Sequence, residues 1–445
     1  MTVFLFAVLI LIEIGFMIFS LAQKASKKEW TLKRLLVNTA ELLVFFAMVL
    51  LPGIDFSFRF TGLIAMLLIR LASAGLFWLF NRKNTRLKKK VTVVLGALLS
   101  IVILSSSMLP AFLFTDYEGL GTTGPYKVLM ADAILIDHSR LERFENDGSY
   151  REVPVYFFYP EGVSEKMPLV IFSHGAFGYY QSNASLYMEL ASKGYVVACI
   201  ETPYHSIFTH DSSGKTIIAD SRFLNDSMTI GSSDVSEAEI FDVISEWMKL
   251  RTADMNFAID SLKDGNTDSW YIDAKQKDGV NKAVSLIDTT KIGLIGHSMG
   301  GAAAVTCGRR DDITAVVDLD GTMLGENIGV NGDTVIVNEE PYHAALFEIQ
   351  NQNHHDEAET ALKEGMVYSN NVVIQNADIS YRTYFADSGH MDFTDLPLFS
   401  PVLAKSLGTG NVDNEMMLRT LNGLVLDFFD CYLKGEGTFK VNECY

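Results

Sequence analysis

Apolar residues follow two different patterns along the chain. Up to about residue 115 they form four long stretches, at about 2–21, 35–52, 60–80 and 91–114. Each approaches the roughly 20 residues needed to cross about 30 Å of hydrocarbon. The fourth carries no charge between residues 91 and 115, whereas Glu41 interrupts the second and Arg70 the third. Residues 1–7 contain no Lys or Arg, which argues against a secretory leader. The first 115 residues are therefore expected to be a four-span transmembrane module. Glu13, Glu41 and Arg70 fall at similar depths in it, where they would either cluster between helices or snorkel to the surface.

Beyond residue 115 the apolar runs shorten and alternate with helical patterns. Strands are predicted at 155–159, 169–172, 196–200, 292–295, 315–319, 345–349 and 381–386. Several are apolar at consecutive positions, as in a parallel sheet covered on both faces. Helices are predicted at 184–193, 236–262, 300–309, 356–364 and 416–432. This alternation predicts a doubly wound, mostly parallel α/β domain over 116–445. Residues 115–150 read as a linker with a first polar strand. An insertion at 203–235 reads as a lid or a solvated loop, and a second lies at about 324–343.

Charge divides at the same boundary. Residues 1–115 carry 13 Lys and Arg against 4 Asp and Glu, and the remainder 23 against 50. A domain so acidic repels phosphate backbones, which excludes nucleic acid as a partner. The basic residues of the first part concentrate in two loops, Lys24 to Arg34 and Arg82 to Lys90. By the positive-inside rule both loops are cytoplasmic, so the N-terminus and the α/β domain are extracytoplasmic. Four cysteines without a C-x-x-C spacing exclude a disulfide scaffold and predict no metal or cofactor. Cys199 and Cys307 read as buried thiols, while Cys431 and Cys444 allow a C-terminal disulfide.

The candidate chemistry lies in Gly296-His-Ser298-Met-Gly300-Gly301, where an apolar strand runs into a helix of small residues. A serine on so sharp a turn needs flanking glycines and projects above the sheet at a helix N-terminus. The alternative is an ordinary helix-capping serine. A nucleophile needs a base after it in the chain, and His343, His354, His355 and His390 qualify. His390 follows a predicted strand, at the sheet edge where α/β folds place ligands, whereas His354 and His355 lie in a polar stretch that reads as solvated. Asp318 and Asp320 share a strand face, and Asp320 is nearer its C-terminal end. Strand 169–172 leads into His174-Gly175-Ala176-Phe177-Gly178. There the Ala176 N–H would pair with that of Met299 as an oxyanion hole, and His174 would orient the loop.

Together with Gly124-Pro-Tyr, Pro168-Leu-Val-Ile-Phe-Ser-His174-Gly, Leu319-Asp320 and His390-Met-Asp-Phe, these motifs resemble the plasma-type platelet-activating factor acetylhydrolase family over about 120–435. The resemblance implies an α/β-hydrolase with Ser298 as nucleophile, Asp320 as acid and His390 as base. It also implies calcium-independent cleavage of short or oxidised acyl chains from phospholipid-like esters. The four-span module and the two insertions have no counterpart in that pattern. Esters of non-lipid substrates, and a catalytically silent binding ectodomain, are the rival functions.

Overall fold

The computed structural model describes all residues except 51, 52, 55, 118 and 231–234. The end of the second apolar stretch, one loop aspartate and part of the first insertion therefore lie outside the described residues. The chain forms two compact units, one of residues 1–118 with 398–403, the other of 119–397 with 404–445.

The first unit contains four helices: α1 (Thr2–Ala22), α2 (Lys27–Leu50), α3 (Thr61–Asn81) and α4 (Lys90–Leu113). Among the described residues three helical segments, Thr2–Ala22, Phe58–Asn81 and Lys90–Leu113, are long and apolar enough to cross a membrane. Helix α2 is equally long but more polar, because its first two turns carry Lys27, Lys28, Glu29, Lys33 and Arg34. The charges buried between the helices are mutually compensated. Arg70 reaches Glu13 and lies 3.0 Å from Glu41, and Arg34 joins Glu13 at 2.7 Å. Clustering, not snorkelling, is what these three residues do. The two basic loops also pair with each other, through Lys27 N–H to the Arg86 carbonyl and Lys88 N–H to the Ala25 carbonyl, at 2.8 and 3.1 Å.

The second unit is built on an eight-stranded sheet. Its strands are β1 (Val128–Leu141), β2 (Tyr150–Pro160), β3 (Met167–Ser173) and β4 (Val196–Ile200), followed by β7 (Ile287–His297), β8 (Ala315–Leu319), β11 (Ala345–Asn351) and β12 (Ser380–Phe385). Two separate hairpins supply β5 (Phe208–His210) with β6 (Thr216–Ile218), and β9 (Asn327–Asn331) with β10 (Thr334–Val337). The sheet order is β1-β2-β4-β3-β7-β8-β11-β12, antiparallel at β1–β2 and β2–β4 and parallel beyond. Strands β4, β8 and β11 are buried at every position, as expected with helices on both faces. Those helices are α5 (Ala184–Ser192), α6 (Ser221–Thr229), α7 (Glu237–Asp264), α8 (Lys277–Leu286), α9 (Met299–Cys307), α10 (Gln352–Glu364) and α11 (Ser369–Gln375), with a last one at Asn414–Phe429. The predicted strands all fall on observed ones. The polar strand expected within 115–150 is the long β1, which is apolar over most of its first nine positions, and α8 and α11 were not among the predicted helices.

Register is what positions the site. Ser173 of β3 lies opposite Gly296 of β7, and His297 opposite Leu319 of β8. Leu319 in turn pairs with Ile349 of β11, and Phe385 of β12 with Asn351. Five parallel strand ends thus form one row, from which the segments at His174, Ser298, Asp320, Asn351 and His390 all emerge.

The C-terminal disulfide does not form: Cys431 and Cys444 are free thiols, as are the buried Cys199 and Cys307. The last residues lie along the edge of β12, with Tyr384 N–H bonded to the Glu443 carbonyl and Tyr445 N–H to that of Tyr384. That pairing fixes Cys444 on the sheet edge instead of against Cys431.

Candidate active site

Ser298 sits between β7 and α9 with φ 56° and ψ −126°, a conformation an L-residue rarely adopts, and its side chain caps no helix N–H. Such backbone costs on the order of 1–3 kcal/mol and persists only where surroundings enforce it. Here the enforcement is steric and hydrogen-bonded. A Cβ at Gly296 would lie 2.2 Å from the Gly300 carbonyl, and one at Gly300 2.0 Å from that of Ser173. Ser298 N–H donates to the Leu319 carbonyl at 2.9 Å. The turn is therefore closed on three strands at once, and the capping-serine alternative fails. Phe177, Asp320 and Asp387 also have positive φ, so most of the non-glycine strain among the described residues collects around this row.

His390 Nδ1–H donates to Asp320 Oδ2 at 2.6 Å. This leaves Nε2 of that ring as the free basic nitrogen. Its loop is held by the fully buried Asp392, which accepts from Gly389 N–H at 2.8 Å, Gly410 N–H at 2.7 Å and Asn414 Nδ2 at 2.6 Å. The ring also packs 4.6 Å from that of His297, the residue before Ser298, whose Nε2–H donates to the His390 carbonyl at 3.1 Å. Burial, then the neighbouring His390, lowers His297 to about 3, so it stays neutral and serves as a fixed donor. Among the described residues no hydrogen bond yet joins Ser298 Oγ to His390. Unliganded sites commonly leave that contact long.

Asp320 is buried and accepts four hydrogen bonds. Asn351 gives its backbone N–H to Oδ1 and its amide to Oδ2, both at 2.7 Å; His390 supplies the third. The fourth comes from His354 Nδ1, at 2.9 Å from Oδ1. Burial alone would raise this carboxyl, but the bonds from His354 and His390 outweigh it and hold it well below the usual carboxylate range. The solvated reading of His354 is thus corrected. Asn351 caps α10 by accepting the His354 N–H at 2.8 Å, and that first turn swings the imidazole back onto Asp320. His355 is not free either, its ring stacking 3.7 Å from that of Tyr384. His343 pairs with the exposed Asp378 at 2.9 Å and precedes β11, at the opposite end of that strand from the row.

Asp318 is buried one pleat deeper. Oδ1 accepts only Gly321 N–H, at 3.1 Å, and Oδ2 has no partner among the described residues. Burial first, then the charges of Glu348 and Asp320, push this carboxyl well above its ordinary value. It makes no contact with a histidine, so of the two aspartates Asp320 alone is joined to His390.

The loop after β3 brings Gly175 against Ser298, a Cβ at Gly175 falling 3.2 Å from that of Ser298. Among the described residues the N–H groups of Ala176 and Met299 have no acceptor. Met299 is the first residue of α9, so its N–H is one of the orphans of that helix and carries its positive end. His174 is buried and lowered to about 3, by burial first and then by Arg251. Its Nε2 accepts Thr202 N–H at 3.2 Å, so Nδ1 carries the proton and donates to the Gly175 carbonyl at 2.7 Å. Arg251 of α7 completes the fixation. Its Nη1 donates to the His174 carbonyl at 2.6 Å and Nη2 to that of Gly175 at 3.3 Å. Burial draws this guanidinium down to about 10, leaving it charged at neutral pH. With both carbonyls turned to Arg251, the following N–H groups face the other way.

The described residues of the first insertion are folded. The insertion contains the β5–β6 hairpin and α6, and its His205 carbonyl accepts the Phe177 N–H at 2.9 Å, one residue from Ala176. Phe223 stacks on His205 at 3.9 Å and packs on Phe177 at 4.8 Å. Its outer side leaves Ile207, Phe208, Ile218, Leu224 and Met228 exposed.

Comparison with known proteins bears on this arrangement in three ways. A ferulic acid esterase from Streptomyces cinnamoneus has a similar structure, with a TM-score of 0.51 and 19% identity over 72% of this chain and 93% of that one. No curated protein matches the chain. The family profile of platelet-activating factor acetylhydrolase, isoform II, matches residues 149–443, which takes in the whole strand-end row from His174 to His390. With an α/β-hydrolase sheet and a serine elbow inside that match, the chain belongs to the platelet-activating factor acetylhydrolase isoform II family and is a carboxylic ester hydrolase.

Proposed function

We propose that the protein is a membrane-anchored serine esterase that removes short or oxidised acyl chains from phospholipid-like esters at the extracytoplasmic surface. The observation that carries the mechanism is the His390–Asp320 hydrogen bond emerging from the same strand-end row as the strained Ser298. Ser298 Oγ attacks the ester carbonyl while His390 Nε2 takes its proton. Asp320 holds the imidazole tautomer and stabilises the imidazolium. The carbonyl oxygen, now an oxyanion, is received by the N–H groups of Ala176 and Met299. His390 returns the proton to the leaving alcohol, and water, activated by the same base, releases the acid from the acyl-enzyme.

The lipid-like substrate is supported by the family and by the exposed apolar residues on the insertion beside Phe177. Anchoring through four helices is supported by three apolar segments and by the fully compensated charges that α2 brings to their interior. The pairing of the two basic loops supports a common, cytoplasmic side for both, which leaves the N-terminus and the esterase unit outside.

Turnover of a panel of acyl esters, from acetyl to palmitoyl on phosphocholine and p-nitrophenyl scaffolds, tests the reading. Short-chain phospholipids are expected to be the best substrates. A fluorophosphonate probe should label the wild type and not Ser298→Ala, whose activity should fall by several orders of magnitude. Full activity in Ser298→Ala would refute the mechanism, and preference for a non-lipid ester would refute the substrate class.

A further inference from the structure

The first unit contains a cleft of about 650 Å³ along α2, α3 and α4 that ester hydrolysis does not use. Its floor is a polar stripe of α2, formed by Lys27, Thr31, Arg34 and Asn38, which are spaced to share one helix face. Its lips are apolar and outward, with Ile69 and Phe77 on α3 and Leu95 and Leu99 on α4 all exposed. A polar floor behind apolar lips is an unusual surface to offer a bilayer, because hydrocarbon satisfies no hydrogen bond.

Charge differs between the two ends of the cleft. At the deep end Arg34 and Arg70 share Glu13, and Arg70 also meets Glu41 at 3.0 Å. At the mouth, among the described residues, no carboxylate pairs with Lys27 or Lys88, and Lys88 Nζ lies 3.7 Å over the Trp30 ring. Two buried lining atoms are also unpartnered: Trp30 Nε1 lacks an acceptor, and Oδ1 of Asn38, a residue only 3% exposed, lacks a donor. An occupant must therefore bring an anion to the mouth, polar atoms to the floor and an apolar chain to the lips.

We propose that this cleft binds an anionic glycerophospholipid, taking from the preceding reading that the unit lies in a bilayer with its basic loops on the cytoplasmic side. The phosphate sits between Lys27 and Lys88 and accepts Trp30 Nε1–H. The glycerol region runs along Arg34 and Asn38, and one acyl chain leaves between Phe77 and Leu95. Basic pockets between helices at the cytoplasmic leaflet are suited to such head groups. The same contact accounts for α2, whose polar stripe faces a lipid head instead of the acyl chains.

The full-length protein in neutral detergent tests this by native mass spectrometry and thermal unfolding with added phosphatidylglycerol or phosphatidylcholine. Phosphatidylglycerol should be retained and should raise the melting temperature; phosphatidylcholine and free glycerol phosphate should do neither. Each basic residue contributes about a fivefold effect, so Lys27→Gln with Lys88→Gln should bind phosphatidylglycerol roughly 30-fold more weakly. Turnover of a water-soluble ester should stay at the wild-type level in that variant, which shows the loss to be independent of the esterase site. Lys88→Gln alone, at about fivefold, carries the test if the double variant is unstable. Equal binding of the two lipids, unchanged phosphatidylglycerol affinity in the variants, or stabilisation by free glycerol phosphate would overturn the proposal.

Discussion

His354 offers the sharpest test of the site, because it shares the Asp320 carboxylate with His390. Burial disfavours its charge, but the hydrogen bond to and charge of Asp320 outweigh burial, with Glu357 and Glu348 adding to them, and its pKa is raised. As pH falls, His354 therefore takes a proton readily and places a cation beside His390. The two ring centroids are 5.8 Å apart, which at an effective dielectric of about 20 gives about 3 kcal/mol of repulsion. The His390 side chain is 35% exposed, so screening by water reduces this to about 1 kcal/mol. The charged His354 thus opposes a second cation at the neighbouring ring. His297, the other imidazole packed on His390, is held neutral and adds no such charge.

His354→Asn keeps a donor for Asp320 Oδ1 but cannot ionise. With that cation gone from beside the ring, the acid limb of kcat/KM should move to higher pH with the plateau little changed. His354→Ala loses the donor as well, and its plateau should fall about tenfold further, the lower end of what a hydrogen bond to a charged group contributes. A pH-stat assay on a water-soluble short-chain ester, run on both variants between pH 4.5 and 9, reads both effects. An acid limb that stays in place or moves to lower pH in a folded His354→Asn protein would refute the reasoning.

Asp320→Asn should lower kcat by about 10⁴ with the fold intact, since it presents the wrong hydrogen-bonding partner to His390. Asp318→Asn should retain near-normal kcat; because the raised Asp318 destabilises the fold increasingly as pH climbs above about 4, the variant should gain in melting temperature over wild type from pH 4 to pH 8. Arg251→Met, which frees the His174 and Gly175 carbonyls, should lower kcat by about 10²-fold with KM little altered; unchanged kcat would remove Arg251 from the control of the oxyanion loop. For topology, in a background with Cys444→Ser, Lys28→Cys and Lys83→Cys should resist an impermeant thiol reagent in intact cells while Met366→Cys reacts, and the reverse pattern would place the esterase inside.

What could be read in the sequence follows from how local each feature is. The strands of the sheet centre are legible because burial on both faces leaves them apolar at every step, as in β4 and β8. The elbow is legible because its glycines are demanded by contacts within a few residues of Ser298 and by one neighbouring strand. His354 was hidden because it lies in a run of Asn, Gln, Asp and Glu with the composition of a solvated helix. Only the Asn351 cap and the register of β11 beside β8 turn it onto Asp320. Arg251 did leave a signal. With Trp247, Asp254, Met255 and Ala258 it occupies the buried stripe of α7, and a cation on an apolar stripe needs buried acceptors. Which acceptors it finds depends on the fold of the loop after β3, some 75 residues earlier in the chain, and no local pattern encodes that.

The contrast between Asp318 and Asp320 shows how little separates a carboxyl held neutral from one held ionised. Both are buried, and only Leu319 separates them. At the strand end Asp320 turns to φ 55° and meets four donors that arrive from β11, α10 and the His390 loop. One pleat inside, Asp318 meets a single backbone N–H beneath the close-packed glycines of the elbow. Burial disfavours both charges, so the number of donors decides which group ionises. A sheet whose parallel strands end in one row concentrates donors at that row and denies them to the layer below. The charged carboxylate is therefore confined to the level where Ser298 and His390 emerge, and the row that positions the serine also sets the ionisation of the group bonded to the imidazole.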